Sequence, residues 1–210
     1  MKIDVFQDTV CPWCRVGQAH LFKALEQFQQ EPVEVRYHAF LLDATTPPEG
    51  RPMSTLVERL GGQARVDEMH ARVCQIGEAC GVDFQFEKID HIPNTIRSHE
   101  LIKLAPADLQ EAVVQELHDA YFSRGEDIGD IKVLLEVARC VGLDTQVVQN
   151  GLLHEEKRAE VLEDLQFARD AGISGVPFFI FEGKYALSGA QPVEVFVQVL
   201  EQIAVGNVLE

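Results

Sequence analysis

Two cysteines separated by two residues lie where the sequence pattern changes from strand to helix. The run Lys2–Gln7 contains β-branched and aromatic residues and predicts a β-strand. From Pro12 onward, apolar residues recur at helical spacing and predict a helix over Pro12–Gln29. Pro12 suits the first helical turn, because the N–H group that it lacks would have no partner there. Cys11 and Cys14 therefore bracket the first turn of a helix that follows directly from a strand, which restricts the chain to folds with such a junction.

This position decides the chemistry that the pair can perform. Unpaired N–H groups and the helix macrodipole favour negative charge at a helix N-terminus, so a thiolate on Cys11 is stabilised. Cys14 lies one turn further in, is more shielded, and can attack a mixed disulfide that Cys11 has formed. We therefore predict Cys11 as the nucleophile and Cys14 as the resolving thiol. Half of a zinc site is the alternative, but the sequence contains no second C-x-x-C or C-x-x-H.

The order of predicted elements indicates an α/β chain. Val33–Phe40 alternates like a second strand and completes a βαβ unit, for which a right-handed crossover is expected. Near the end, Pro177–Phe181 is a compact apolar run, and Tyr185–Leu187 can pair back with it across a turn at Glu182–Gly183. A final helix opens at Pro192.

The middle of the chain differs in character, with repeated helical stretches and no convincing strand between about Leu42 and Gly172. The predicted helices are Ser54–Leu60, Gln63–Cys80, Thr95–Leu104, Ala107–Arg124, Ile131–Val141 and Glu155–Asp170. We therefore predict that residues 1–41 and 173–210 form one βαβ…ββα domain, and that residues 42–172 form a helical insertion domain.

The net charge of the chain limits the classes of partner that it can bind. Lys and Arg total 18 against 34 Asp and Glu, which gives a formal net charge of −16. Such an acidic surface repels phosphate backbones and anionic lipid headgroups, so we expect neither nucleic acid nor a membrane as partner. No segment approaches the ~18 apolar residues of a membrane-spanning helix, and the first residues do not resemble a secretory signal. A cytoplasmic location is expected, where five cysteines predict redox or metal chemistry rather than a disulfide scaffold.

Four separated segments of the chain resemble one family. They are Asp8–Cys14 (DTVCPWC), Tyr121–Asp130 (YFSRGEDIGD), Ser174–Phe181 (SGVPFFIF) and Ser188–Pro192 (SGAQP). Together they resemble the DsbA-like thioredoxin superfamily and, within it, the FrnE-type branch, which is related to 2-hydroxychromene-2-carboxylate isomerases and kappa-class glutathione transferases. The likeness covers nearly the whole chain. It implies an α/β, thioredoxin-like fold interrupted by a large all-α insertion, in agreement with the order of elements.

The resemblance also implies roles for residues around the pair. Pro12 and Trp13, between the cysteines, are assigned to active-site support. The resemblance makes Pro177 a cis-proline that faces the pair, keeps a metal from bridging the thiols and aligns the backbone of Val176 with an extended substrate. An ordinary turn proline before an edge strand is the alternative for Pro177.

One feature of the family pattern is absent. Related oxidoreductases often carry a buried acidic residue six positions before the first cysteine, where it serves proton transfer to the resolving thiol, and here that position is Val5. Asp4 should point to the opposite face of the strand. Asp8 and water are the remaining candidates for managing the proton of Cys14.

Two weaker signals come from the predicted insertion. The segment NTIRSH resembles a family segment that approaches the active-site cleft, which makes Asn94 and His99 candidate substrate contacts. A helix N-terminus followed by a surface histidine explains the same residues. Cys74 and Cys80 are six apart on a predicted helix, so their side chains diverge, and we predict both of them to be small buried hydrophobic residues. The same prediction holds for Cys140, which lies on an apolar helix face.

These features predict an enzyme, a thiol–disulfide oxidoreductase that oxidises, reduces or isomerises disulfides of protein or small-molecule substrates. We expect no prosthetic group and no metal, with glutathione as a candidate co-substrate. Two other functions stay open. One is a glutathione-dependent isomerase or transferase of the related branch, which typically carries serine at the position of Cys11. The other is a chaperone-like binding module, which would expose an apolar patch around the pair.

Overall fold

The computed structural model describes residues 1–206 of the 210-residue chain. Its first elements are strand β1 (Lys2–Gln7), helix α1 (Pro12–Gln27) and strand β2 (Glu34–Ala39). The two strands pair in parallel along their whole length, so α1 is the crossover of a βαβ unit. The helix begins at Pro12 as predicted and ends at Gln27, where Phe28 adopts an extended conformation.

The middle of the chain is helical, with one small exception. Its helices are α2 (Ser54–Arg59), α3 (Gln63–Cys80), α4 (Ile96–Leu104), α5 (Gln110–His118), α6 (Ile131–Cys140), α7 (Thr145–Leu153) and α8 (Arg158–Asp170). The exception is an antiparallel pair of strands, β3 (Arg51–Pro52) and β4 (His91–Ile92), where the sequence predicts none. Two residues are too few to show a period-two pattern. The sequence does not predict α7 either. Val147 and Leu153 expose apolar side chains, so the apolar residues of this helix are not confined to one face.

The last three elements complete the sheet. They are β5 (Phe178–Phe181), β6 (Tyr185–Ser188) and α9 (Val193–Ala204). The strand order is β2-β1-β5-β6, and β5 runs antiparallel to both of its neighbours. Glu182 and Gly183 lie in the predicted turn, both with positive φ, a conformation that Gly183 adopts at little cost.

Helices cover both faces of the sheet. On one face α1 and α9 pack together, and Phe179 meets Phe196 edge to face. On the other face, Phe6 is buried with Ala168 of α8 and with Ile173. Because β5 is antiparallel to β1, the end of β1, the start of α1 and the loop before β5 meet at one edge of the sheet.

The predicted α/β class and the thioredoxin-like order of elements, with a largely helical insertion between β2 and β5, are confirmed. The division into one domain of residues 1–41 and 173–210 and a second of residues 42–172 stays a prediction. None of the described helices is long and apolar enough to cross a membrane.

Candidate active site

The cysteine pair lies at the junction of β1 and α1, with both thiols free and almost fully buried. Cys11 is the N-cap residue of α1, and its carbonyl oxygen accepts the N–H of Cys14 at 3.0 Å. The N–H of Cys11 donates to the carbonyl oxygen of Asp8 at 2.9 Å. Within the described residues no side chain caps this helix. Pro12 has no N–H, and the N–H groups of Cys14 and Arg15 donate to the Cys11 carbonyl oxygen, so the Trp13 N–H and the helix macrodipole remain to favour negative charge on Cys11.

The loop before β5 faces the pair. The Val176–Pro177 peptide bond is cis. Cys11 Sγ lies 3.7 Å from the carbonyl oxygen of Val176, within reach of a weak hydrogen bond. Gly17 allows this approach, since a Cβ atom there would stand 2.8 Å from Pro177 Cγ. A glycine in the middle of a helix lowers stability, and the loop that packs on Gly17 explains its presence.

The thiol of Cys14 is held in its protonated form. Burial raises the pKa of Cys14 well above its usual range. A hydrogen bond with Cys11 and the negative charge of the Cys11 thiolate raise the pKa of Cys14 further. A backbone hydrogen bond at Asp8 acts in the opposite direction, while the charge of Asp8 raises the pKa again. Cys14 therefore needs a proton acceptor before it can attack a disulfide.

An apolar cleft of about 310 Å³ opens in front of Cys11. Its walls include Val10, Trp13, Leu42, Leu56, Leu60 and Met69. Two cations line it as well: Arg51 and Arg59 reach the same carboxylate oxygen of Asp43, at 3.3 Å and 2.9 Å, so their charges are partly offset. A mostly apolar concave surface with a few polar groups is the usual form of a ligand site.

Five of the eight predicted site residues line the cleft, whereas Cys14, Pro177 and His99 do not. The cleft is lined by Cys11, Pro12, Trp13, Asn94 and Val176. Both ends of the Asn94 amide are already used: Nδ2 donates to the Thr46 carbonyl oxygen at 2.7 Å, and Oδ1 accepts the Ile96 N–H at 3.1 Å. Asn94 therefore supports the start of α4. His99 does not line the cleft, because it is buried in the interior with Nε2 3.6 Å from Asp8 Oδ1.

Sequence reasoning missed Arg15, a buried arginine in the first turn of α1. Its guanidinium donates to the carbonyl oxygen of His118 at 2.8 Å and pairs with the carboxylate of Asp119. A π-helical turn, Asp119–Ser123, interrupts the helix predicted over Ala107–Arg124 at this contact. A cation in the first turn opposes the helix macrodipole. That conflict is the signal, present in the sequence, that a distant partner binds Arg15.

The other face of β1 carries a separate polar cluster. Val5 is buried in the core, and Asp4 points to the opposite face as predicted. There His38 Nε2 lies 2.9 Å from Asp4 Oδ1, and His38 Nδ1 lies 2.7 Å from Asp164 Oδ1. Burial lowers the pKa of His38, but the hydrogen bonds to Asp164 and Asp4 outweigh it and raise the pKa above its usual value. This cluster ties β2 to α8 and leaves Cys14 without an acid from β1.

The remaining cysteines lie outside the cleft. Cys80 is buried and Cys74 is partly exposed. Cys140, predicted to be buried, is exposed, because α6 buries the face that carries Leu134 and Val137 and Cys140 lies off that face. Within residues 1–206, no group of three or more His, Cys, Asp or Glu side chains is arranged to hold a metal ion.

Comparison with known proteins places this geometry in a family context. A family profile described as the DSBA-like thioredoxin domain matches residues 2–201. The uncharacterized protein YwbO of Bacillus subtilis is 27% identical over 198 residues, covering 93% of this chain and 94% of that protein.

Two solved structures extend the comparison. A probable DsbA oxidoreductase from Streptomyces coelicolor has a TM-score of 0.88 at 30% identity, covering 100% of this chain and 92% of its own. A 2-hydroxychromene-2-carboxylate isomerase has a TM-score of 0.75 at 16% identity, covering 99% of this chain and 98% of its own. At that identity the isomerase shows a shared fold and nothing more.

Proposed function

Because the chain belongs to the DSBA-like thioredoxin domain family, we propose that it is a thiol–disulfide oxidoreductase that acts through Cys11 and Cys14. The observation that carries the proposal is the placement of the pair. Cys11 occupies the N-cap position of α1 and lines an apolar cleft, and Cys14 lies one turn further along the helix. A helix N-terminus stabilises a thiolate, and the cleft can bring a substrate disulfide to it.

The two thiols act in turn. Cys11 attacks one sulfur of a substrate disulfide and forms a mixed disulfide, and the other half of the substrate leaves as a thiol. Cys14 then attacks Cys11, which closes the Cys11–Cys14 disulfide and releases the second half. The raised pKa of Cys14 supports this order, because a protonated buried thiol does not compete as the first nucleophile. The reverse sequence oxidises a substrate dithiol.

The proposed substrates are proteins or small molecules that carry a disulfide or thiols, with glutathione as a candidate co-substrate and no prosthetic group. The apolar walls of the cleft and the cis Val176–Pro177 loop beside Cys11 support an extended chain as occupant. A reducing, cytoplasmic site of action is also proposed, because Cys74, Cys80 and Cys140 are free thiols of the kind that persist there.

A glutathione-dependent isomerase is the second candidate, since an isomerase of the related branch shares the fold over nearly its whole length. Its chemistry would have no use for a resolving thiol. It therefore predicts that Cys14 can be replaced without loss of turnover, whereas the oxidoreductase requires Cys14. The presence of both Cys11 and Cys14 favours the oxidoreductase.

Trapping of the mixed disulfide tests the proposal. Cys14→Ser, recovered from cells after acid quenching, should carry proteins or glutathione bound to Cys11, visible on a non-reducing gel or by mass and released by a reductant. Cys11→Ser should carry none, and Cys140→Ser, which changes an exposed cysteine outside the cleft, should behave as the wild type. A Cys14→Ser protein without adducts would refute the dithiol function, and turnover that survives this substitution would favour the isomerase.

A further inference from the structure

Unpartnered polar atoms in the interior gather near the cysteine pair. Among residues 1–206, the buried side-chain nitrogen and oxygen atoms without a hydrogen-bond partner belong to Gln7, Asp8, His99 and His118. The first two lie in the segment that leads into Cys11. Folded proteins pair almost all such atoms, so their concentration in one place calls for a functional explanation.

Asp8 and His99 face each other across a short gap. Asp8 Oδ1 lies 3.6 Å from His99 Nε2, and the two side chains are only 3% and 2% exposed. The other carboxylate oxygen, Oδ2, accepts the N–H of Leu42 at 2.8 Å. Beside this pair, the hydroxyl oxygens of Thr9 and Ser98 are 2.7 Å apart, which locks the active-site loop to α4. The carboxylate of Asp8 therefore has a fixed direction, with one oxygen free to take a proton.

Asp8 lies beside the cysteine pair and lines the same cleft as Cys11. Asp8 precedes Cys11 by three residues, and its carbonyl oxygen accepts the Cys11 N–H at 2.9 Å. The negative charge of Asp8 adds to the effect of burial in raising the pKa values of Cys14 and Tyr121. Val5 is an apolar core residue, and Asp4 is bonded to His38 on the other face of the sheet. In the segment that leads into Cys11, Asp8 is therefore the acidic side chain that lies beside the cysteine pair.

Resting on the proposed dithiol function, we propose that Asp8, positioned by His99, takes the proton from Cys14 when the mixed disulfide is resolved. Before this step the substrate sulfur is bonded to Cys11, and Cys14 carries its S–H proton. The proton passes to the Asp8 carboxylate, and the Cys14 thiolate attacks Cys11 Sγ. The Cys11–Cys14 bond forms as the bond to the substrate breaks, and the substrate sulfur leaves with the electron pair and takes the proton from Asp8. The substrate is reduced to a thiol, and the two cysteines are oxidised to a disulfide.

Three other charged or titratable groups lie around Asp8 and His99, and none of them is suited to take the proton of Cys14. Burial, the charge of Arg15 and that of His99 lower the pKa of His118 to about 3, so His118 stays neutral. Burial raises the pKa of Tyr121, so its hydroxyl stays protonated. Arg15 stays charged and is paired with a carboxylate of its own.

Stopped-flow reaction with the chromogenic disulfide 5,5′-dithiobis(2-nitrobenzoate) separates the two chemical steps. Attack by Cys11 releases the first thionitrobenzoate, and resolution by Cys14 releases the second. Asp8→Asn keeps an acceptor for the N–H of Leu42 but removes the carboxylate. We expect the first release to be unchanged and the second to be slower by about 10²-fold at neutral pH. The second release should then accelerate in proportion to hydroxide concentration, since solvent takes the proton.

Further variants separate proton transfer from a structural role. His99→Leu should slow the second release without changing the first, and His99→Gln, which keeps a polar N–H group facing Asp8, should restore part of the rate. Asp164→Asn is the matched control, because it removes a carboxylate that is largely buried on the opposite face of the sheet. It should change neither release.

Each outcome decides one question. Absence of thionitrobenzoate release from the wild type would refute the proposed function itself. Two releases whose second rate is independent of Asp8 at every pH would overturn the role of Asp8 alone. If Asp8→Asn does not fold, the two His99 variants decide. Second-release rates equal to the wild type in both His99→Leu and His99→Gln would overturn the proposal.

Discussion

Replacing Arg15 by methionine tests how the active-site helix is held against the helical insertion. The guanidinium donates to the carbonyl oxygen of His118 at 2.8 Å and pairs with the carboxylate of Asp119. It also lies 5.3 Å from the centre of the Phe84 ring. Methionine keeps an unbranched apolar chain against Phe84, so the substitution removes mainly the polar contacts.

The expected loss in free energy of unfolding can be estimated from the contacts that Arg15→Met removes. A buried carbonyl group at His118 that loses its donor costs about 1–3 kcal/mol. The ion pair with Asp119 contributes at most about 1 kcal/mol, because that side chain is 47% exposed and solvent screens the pair. Burial lowers the pKa of Arg15, so removal of a desolvated charge offsets part of the loss. The free energy of unfolding should therefore fall by about 2 kcal/mol.

Urea unfolding followed by circular dichroism measures this change, with an unaltered dependence on urea concentration. A loss of that size lowers the Tm of a chain of this length by about 4–8 °C. Arg139→Met is the control, since Arg139 is exposed and pairs with Glu136 one helical turn away. Its midpoint should match the wild type. Equal midpoints for both variants, or a more stable Arg15→Met protein, would refute the reasoning.

The remaining predictions concern His38 and Gly17. Because the pKa of His38 is raised by folding, its stabilisation is complete below the unfolded-state pKa of about 6.5 and is lost as pH rises through the folded value. The difference in free energy of unfolding between wild type and His38→Gln should therefore shrink as the pH is raised from acidic to alkaline. His154→Gln, which changes an exposed histidine, is the control. A difference that stays constant with pH would contradict this prediction. Gly17→Ala should slow disulfide exchange severalfold, because its Cβ atom would meet Pro177 at 2.8 Å. Gly175→Ala meets no atom within 4 Å, and equal exchange rates for the two variants would argue against the role of the loop.

The elements around the cysteine pair are predictable from sequence because their signals act over a few residues. The β-branched and aromatic residues of Lys2–Gln7, the proline at position 12 and the glycine at position 183 each favour a local backbone geometry, and the structure has the corresponding strand, helix start and turn. By contrast, α7 has apolar residues on its exposed side, such as Val147, and no single stripe marks it.

Contacts between distant segments are the part that sequence reasoning does not reach. Arg15 and His118 are 103 positions apart, and no local pattern specifies their contact. His99 illustrates the same limit, because its sequence context fits a cleft contact, whereas packing of α4 against the active-site loop buries it beside Asp8. Only the mismatch of Arg15 with the helix macrodipole hinted at such a contact.

The proposed function depends on one reversible reaction, the closing of a Cys11–Cys14 disulfide. Its redox equilibrium can be measured on the purified protein in glutathione buffers of graded potential, with the bond located by mass spectrometry of unreduced peptides. We predict one two-electron transition, in which the ratio of oxidised to reduced protein changes tenfold per about 30 mV. It should vanish in Cys11→Ser and Cys14→Ser and persist in Cys140→Ser. A protein that stays fully reduced across the range, or that forms its disulfide at Cys74 or Cys80 instead, would contradict the dithiol mechanism.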